Sequence, residues 1–158
     1  MPVAQVRAYV AEDAEAVAGL LSEMGYATSP QLADQYATRF TALPSAALLV
    51  AADDEAVIGL IAMCLVPRLD DECVSCRITD LVVARSHRRQ GVGTRLMRVA
   101  RAWARARGAK RMDLSTGTWR SEANAFYERL GFQENARALT LRFDERPRGS
   151  AGDSGLQR

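Results

Sequence analysis

The sequence predicts an α/β domain, a mixed sheet with helices packed on it, and three observations carry that prediction. Strand-like and helix-like stretches follow one another in the order β, α, α, β, β, β, α, β, α, β. Two apolar runs, residues 46–52 and 56–66, flank Asp53-Asp54-Glu55 and read as an antiparallel hairpin. The apolar run ending at Ala84 connects through a helix to a further strand at 111–116, and strands joined that way run parallel.

Taken in order, residues 5–10 form a first strand. Residues 14–24 carry Val17, Leu20, Leu21 and Met24 at helical spacing. Ser29 then reads as an N-cap with Pro30 at the first helical position, and Leu32, Tyr36, Phe40 and Leu43 share one apolar stripe. After the hairpin and a polar loop at 67–72, a long strand covers 74–84. The helix over 96–107 places Leu96, Ala100 and Trp103 on one face and Arg95, Arg98, Arg101 and Arg105 on the other, and Gly108 closes it. Residues 121–130 form a short helix with Ala123, Phe126, Tyr127 and Leu130 on one side, ended by Gly131-Phe132. A last strand is expected at 136–143. From Asp144 the chain is polar and rich in Pro and Gly, which reads as a disordered tail. The organisation expected is therefore one domain over residues 1–143 followed by a tail over 144–158.

Composition bounds the function. The 158 residues are 48% hydrophobic and 25% charged, enough for one domain with a real core. A net charge of +2 is too small to make the whole chain a polyanion binder, and the arginine stripe reads as a solvated helix face, so no nucleic-acid partner is expected. Basic groups are nearly all arginine; Lys110 is the only lysine. No apolar run approaches the roughly 20 residues of a membrane span, and residues 1–3 start no signal peptide, so a cytoplasmic protein without membrane partners is expected. Of the three cysteines, Cys73 and Cys76 make a lone C-x-x-C with no second pair to complete a zinc site, so no metal is expected and the thiols read as reduced and structural. His87, the single histidine, receives no role.

The most informative stretch is Arg88-Arg89-Gln90-Gly91-Val92-Gly93-Thr94. It joins a strand to a helix. Glycines let the backbone approach a ligand closely, first-turn amides lack helical partners, and the helix dipole favours an anion. Without a Gly-Lys-Ser/Thr ending it is not a P-loop, and without a third glycine it is not a dinucleotide fingerprint. On the turn alone, a tight connection with solvated arginines explains these residues equally well.

A second constellation, from Asn124 through Ala-Phe-Tyr127 to Gly131-Phe132, follows at a later helix. Together the two resemble the GNAT N-acetyltransferase superfamily. Arg88, Gly91 and Gly93 fill its Arg/Gln-x-x-Gly-x-Gly/Ala signature; Asn124, Tyr127 (one residue early) and Gly131-Phe132 fill its later element. The resemblance covers about residues 3–143 and implies a mostly antiparallel sheet, splayed between its fourth and fifth strands and flanked by about four helices. It implies acetyl-CoA as cosubstrate. The amides of Arg89, Gln90, Gly91, Val92, Gly93 and Thr94 would bind its pyrophosphate. Backbone groups of Leu81, Val82 and Val83 would bind the pantetheine arm, with Val82 or Val83 also polarising the thioester carbonyl. Asn124 would hold the pantetheine or its neighbourhood.

Tyr127 matches the family's general acid: a thiolate near pKa ~8.5 benefits from a phenol near ~10 as proton donor. The base is less plain. An alkylamine is only about 0.1% neutral at pH 7. Many relatives carry glutamate then aspartate on the fourth strand, and this chain has Thr79 then Asp80, which strand alternation sends to opposite faces. Asp80 then acts through a water or orients the acceptor. Glu23, Tyr26, Tyr36 and Trp119 are positional candidates for the acceptor pocket. The expected activity is acetylation of a small-molecule primary amine by direct attack. A protein amine as acceptor, or a non-catalytic acyl-CoA sensor, are the alternatives, and a homodimer is possible by analogy.

Overall fold

The computed structural model describes residues 4–54, 56–70 and 74–143. Cys73 and the tail expected from residue 144 lie outside the described residues. The described strands are β1 (Gln5–Ala8), β2 (Ala46–Ala52), β3 (Val57–Val66), β4 (Val74–Val83) and β5 (Ala109–Asp113); the helices are α1 (Ala14–Glu23), α2 (Pro30–Thr41), α3 (Val92–Ala106) and α4 (Ser121–Arg129). The chain divides into two units, Met1–Leu114 and Ser115–Arg158. No described helix is long and apolar enough to cross a membrane.

The first unit is built around β3, which has no charged or hydroxyl side chain. It is the middle strand of a sheet ordered β1-β2-β3-β4-β5. All pairs are antiparallel except β4 with β5, which is parallel as the helical crossover requires. Residues 58–63 of β3 are buried without interruption, so helices cover both faces of the sheet. Alternation divides the work: Leu48, Val50, Leu60, Ala62 and Val82 pack with Val17, Ala18, Leu20, Ala33 and Ala37 of α1 and α2. The opposite face receives α3, whose Leu96, Met97, Ala100 and Ala104 are all at most 2% exposed. Truncating a leucine buried like Leu96 costs roughly 3 kcal/mol, so α3 is firmly seated.

Several local expectations need correction. The stripe of Leu32, Tyr36 and Leu43 faces outward; α2 turns Ala33 and Ala37 inward instead, because small side chains let it lie close to its neighbours. Only Phe40 of that stripe packs against the core. The fifth strand starts and ends two to three residues earlier than expected, at Ala109–Asp113. Arg95 does not belong with the solvated arginines: its Nη1 donates to the Ala4 carbonyl at 3.0 Å. Residues 136–143 form no strand, and Leu139, Leu141 and Phe143 are exposed. Period-two alternation is only a disposition; a strand also needs a ladder partner, and none of the described residues supplies one.

Other signals were met closely. Ser29 caps α2 by accepting the Leu32 amide at 3.2 Å, with Pro30 next. Gly108, at φ +85°, follows α3. Lys110 lies exposed on β5. Cys64 and Cys76 are free thiols, and burial pushes the Cys76 thiol up to about 11, which suits an inert packing residue.

One ionic contact ties β1 to the start of α1. Asp13, 5% exposed, accepts both Arg7 guanidinium nitrogens at 2.7 and 2.8 Å and the Val10 amide at 2.9 Å. The Arg7 hydrogen bonds hold the Asp13 carboxyl below its ordinary value. A depressed carboxyl stabilises the fold above the unfolded value and loses that contribution as pH falls through the folded one. Asp13→Asn should therefore lower stability by about 2 kcal/mol at pH 7 and flatten the acid limb of a denaturation-against-pH curve. An unchanged acid limb in urea melts would discard the pairing as the cause.

Candidate functional site

Strand β4 loses its neighbour halfway along. Its ladder to β5 runs from Val74↔Ala109 to Arg77↔Asp113 and stops there, while its ladder to β3 continues to Val83↔Gly59. Beyond Arg77, residues 78–83 thus present an unpaired backbone edge on the β5 side among the described residues. This is the splay expected from the family resemblance. Leu81, Val82 and Val83 all lie on that stretch.

A bulge lies near its start. In the β3–β4 register, Met63 faces Ile78 and Ala62 faces Asp80, so Thr79 is the extra residue, with its hydroxyl donating to the Ala62 carbonyl at 3.3 Å. The simple alternation expected for Thr79 and Asp80 is therefore interrupted: the register passes from Ile78 to Asp80 with Thr79 unpaired, and the bulge re-aims the strand within its bare stretch. Asp80 remains partly exposed.

The chain then makes the predicted turn. Arg85–His87 form a 3-10 turn, Arg88 is extended, and Arg89 (φ +59°) and Gly91 (φ +81°) are both left-handed. Gly91 is the N-cap of α3, with no side-chain cap, and its carbonyl receives the Arg95 amide at 3.0 Å. The amides of Val92, Gly93 and Thr94 have no helical acceptor, which leaves them for a ligand. Side chains of the motif brace the turn: Arg88 Nε donates to the Val83 carbonyl at 3.2 Å, and Gln90 Nε2 to the Ser86 carbonyl at 3.0 Å. His87 Nδ1 meets Ser86 Oγ at 2.8 Å, and its Nε2 stands 3.8 Å from Asp53 in the β2–β3 hairpin.

Glu23, a positional candidate for the acceptor pocket, braces the turn. From the last position of α1 its Oε2 accepts the Arg85 amide at 3.0 Å, pinning the start of the turn across 62 residues of chain. Tyr26 and Tyr36 are exposed, and Tyr36 lies under the Arg39 guanidinium at 5.7 Å.

The second unit holds the other constellation. Helix α4 ends in a paired-bond glycine cap: Gly131, at φ +90°, donates to the Glu128 carbonyl at 2.9 Å, and Phe132 donates to the Tyr127 carbonyl at 3.0 Å. That cap folds the Phe132 ring back on Tyr127 (centroids 5.7 Å), and Phe126 packs edge-on from the other neighbour at 5.3 Å. Burial raises the Tyr127 phenol above its ordinary value, partly offset by Arg120, so it stays protonated at neutral pH.

Asn124 Nδ2 donates to the Gly117 carbonyl at 3.1 Å and the Thr118 carbonyl at 3.4 Å. Its Oδ1 is buried with no partner, as is Thr116 Oγ1, a residue that sequence reasoning passed over. A buried acceptor left without a donor is costly unless a ligand supplies one. Trp119 is 53% exposed and lies over Gly117, where a Cβ would run into its ring.

The first unit fits a coenzyme A ligand on two counts: a bare strand edge for its amide-bearing arm, and uncapped amides under a left-handed glycine for its phosphates. Comparison with known proteins agrees. Residues 9–132 match the Acetyltransferase (GNAT) family. The chain is 33% identical over 104 residues to the aminoglycoside N(6')-acetyltransferase type 1 of Klebsiella aerogenes, covering 64% of this chain and 68% of that protein. It is 32% identical over 92 residues to human N-acetyltransferase 8, covering 57% of this chain but only 40% of that protein. Among solved structures, a transcriptional regulator from Bacillus halodurans superimposes with a TM-score of 0.80 at 23% identity, over 89% of this chain and 99% of that one. The aminoglycoside N-acetyltransferase AAC(6')-Iy, crystallised with CoA, gives 0.79 at 18% identity over 90% and 95%. By the span of the family match and the length of the Klebsiella relative covered, this chain belongs to the GNAT family and is an acyl-CoA-dependent acetyltransferase.

Proposed function

We propose that the chain transfers the acetyl group of acetyl-CoA to a primary amine of a small molecule, by direct attack of the neutral amine, with residues 1–143 acting as one catalytic domain. The observation that carries the cosubstrate is the bare edge of β4 running into the uncapped N-terminus of α3. The small-molecule acceptor is supported by the likeness to an aminoglycoside acetyltransferase.

In this reading acetyl-CoA supplies an activated acetyl thioester. The amides of Arg89, Gln90, Gly91, Val92, Gly93 and Thr94 bind the diphosphate, helped by the α3 dipole. Leu81, Val82 and Val83 bind the pantetheine arm as an added strand would bind, and the amide of Val82 or Val83 polarises the thioester carbonyl. Asn124 Oδ1 accepts a ligand N–H. Asp80 orients the acceptor amine or takes its proton through a water. Tyr127, kept neutral by burial, gives a proton to the departing thiolate.

Thiol release from acetyl-CoA, followed against a panel of aminoglycosides, polyamines and peptides, tests the whole reading. Turnover confined to peptides would reassign the acceptor, and acetyl-CoA binding with no turnover on any amine would make the chain a sensor.

Two variants test the parts. No described atom lies within 4 Å of a Cβ at Gly91, so Gly91→Val costs the fold only the left-handed strain, about 1–2 kcal/mol. It should weaken acetyl-CoA binding at least about tenfold by isothermal titration. Wild-type affinity would sink the cradle. Tyr127→Phe should lower kcat by about 10²- to 10⁴-fold with the KM for acetyl-CoA held. Because burial favours the neutral phenol, the wild-type rate should climb as the amine deprotonates, with no loss through Tyr127 below pH ~10. Full activity in the phenylalanine variant would remove Tyr127 as the acid.

A further inference from the structure

Glycine inside a strand weakens it, so a glycine in the central strand of a sheet calls for a reason. Gly59 of β3 has one. A Cβ there would stand 3.1 Å from the Val82 carbonyl oxygen, 3.2 Å from Leu96 Cδ1 and 3.3 Å from Val92 Cγ1. Gly19, in α1, has nothing within 4 Å and carries no such demand. The three neighbours of Gly59 are not free to give way. One is backbone in a strand, Leu96 is fully buried, and Val92 is 7% exposed at the first position of α3.

These neighbours belong to the two halves of the cosubstrate cradle. Val82 lies on the bare-edged stretch of β4, and Val92 begins the helix whose amides face the diphosphate. Gly59 touches both and forms neither. We propose that Gly59 is a positioning residue for acetyl-CoA: its missing side chain sets the distance between the β4 edge and the N-terminus of α3, and hence the span over which the pantetheine arm and the diphosphate are gripped together. The inference rests on the cradle reading above.

A methyl group at this point lifts the first turn of α3 off β3, or shifts the Val82 carbonyl, by a few tenths of an ångström. The helix stays seated through Met97, Ala100 and Ala104, so the displacement falls on the end that meets the ligand. A merely structural glycine predicts a lower melting temperature and unchanged affinity in the folded protein. A positioning glycine predicts a change in affinity that follows the crowding.

The test is isothermal titration of acetyl-CoA into the full chain, well below the melting temperature of each variant, with steady-state kinetics alongside. Gly59→Ala should raise the Kd and KM for acetyl-CoA about tenfold while kcat changes much less. Gly59→Ala combined with Val92→Ala, which removes one of the two crowding methyls and keeps the backbone amide, should bind acetyl-CoA more tightly than Gly59→Ala alone. If Gly59→Ala does not fold, Val92→Ile crowds the same contact from the helix side and should raise the Kd likewise. Wild-type affinity in a folded Gly59→Ala, or in Val92→Ile where that variant stands in, overturns the proposal. Gly91→Val separates the two failures: if it too binds with wild-type affinity, the cradle itself is misplaced; if it loses affinity while Gly59→Ala does not, only the role of Gly59 falls.

Discussion

Backbone amides and carbonyls that leave a ladder must find other partners, and in this chain that demand falls on residues 78–83. β4 is held on one side by β3 from Ser75 to Val83, with Thr79 bulged out, and on the other by β5 for only four register pairs. The arrangement is stable because the β3 side is so well made: β3 is buried on both faces, and α1, α2 and α3 clamp the sheet around it. The bare edge is thus an opening in a rigid frame.

The turn that follows solves a second problem with the same economy of parts. A strand must be converted to a helix while the first helical amides stay uncovered, which excludes the usual Ser, Thr, Asp or Asn cap. Gly91 caps α3 with no side chain at all, and Arg89 takes a left-handed conformation beside it. The stability forgone is recovered at a distance from the amides. Glu23 holds the Arg85 amide, Gln90 holds the Ser86 carbonyl, Arg88 holds the Val83 carbonyl, and His87 reaches toward Asp53. Side chains that look like ligand-binding charges in sequence are partly spent on shaping the loop.

What the sequence disclosed and what it hid divide along one line, local against non-local. Ser29-Pro30, Gly108 and Gly131-Phe132 act within a turn of chain, and their structural roles were legible. The glycine turn and the Asn124-to-Phe132 element were legible because they are short patterns in fixed elements. The bulge at Thr79 was not, since a bulge exists only relative to the partner strand. Nor was the bond from Glu23 to Arg85, or the close approach at Gly59, for both join residues far apart in sequence. The stripe of α2 was not legible because its large apolar side chains face outward while the small Ala33 and Ala37 make the contact. Residues 136–143 misled by pattern, having the alternation of a strand without a partner among the described residues.

The near absence of lysine has a chemical consequence for an enzyme of this kind. An acetyl thioester modifies amines, and a chain bathed in its own cosubstrate exposes every lysine to slow acylation. Here the positive side chains are arginines, whose guanidinium stays protonated and poorly nucleophilic, and the single side-chain amine is Lys110, out on β5. The charged side chains that shape the turn between β4 and α3 are therefore of a kind that an acetyl thioester leaves intact.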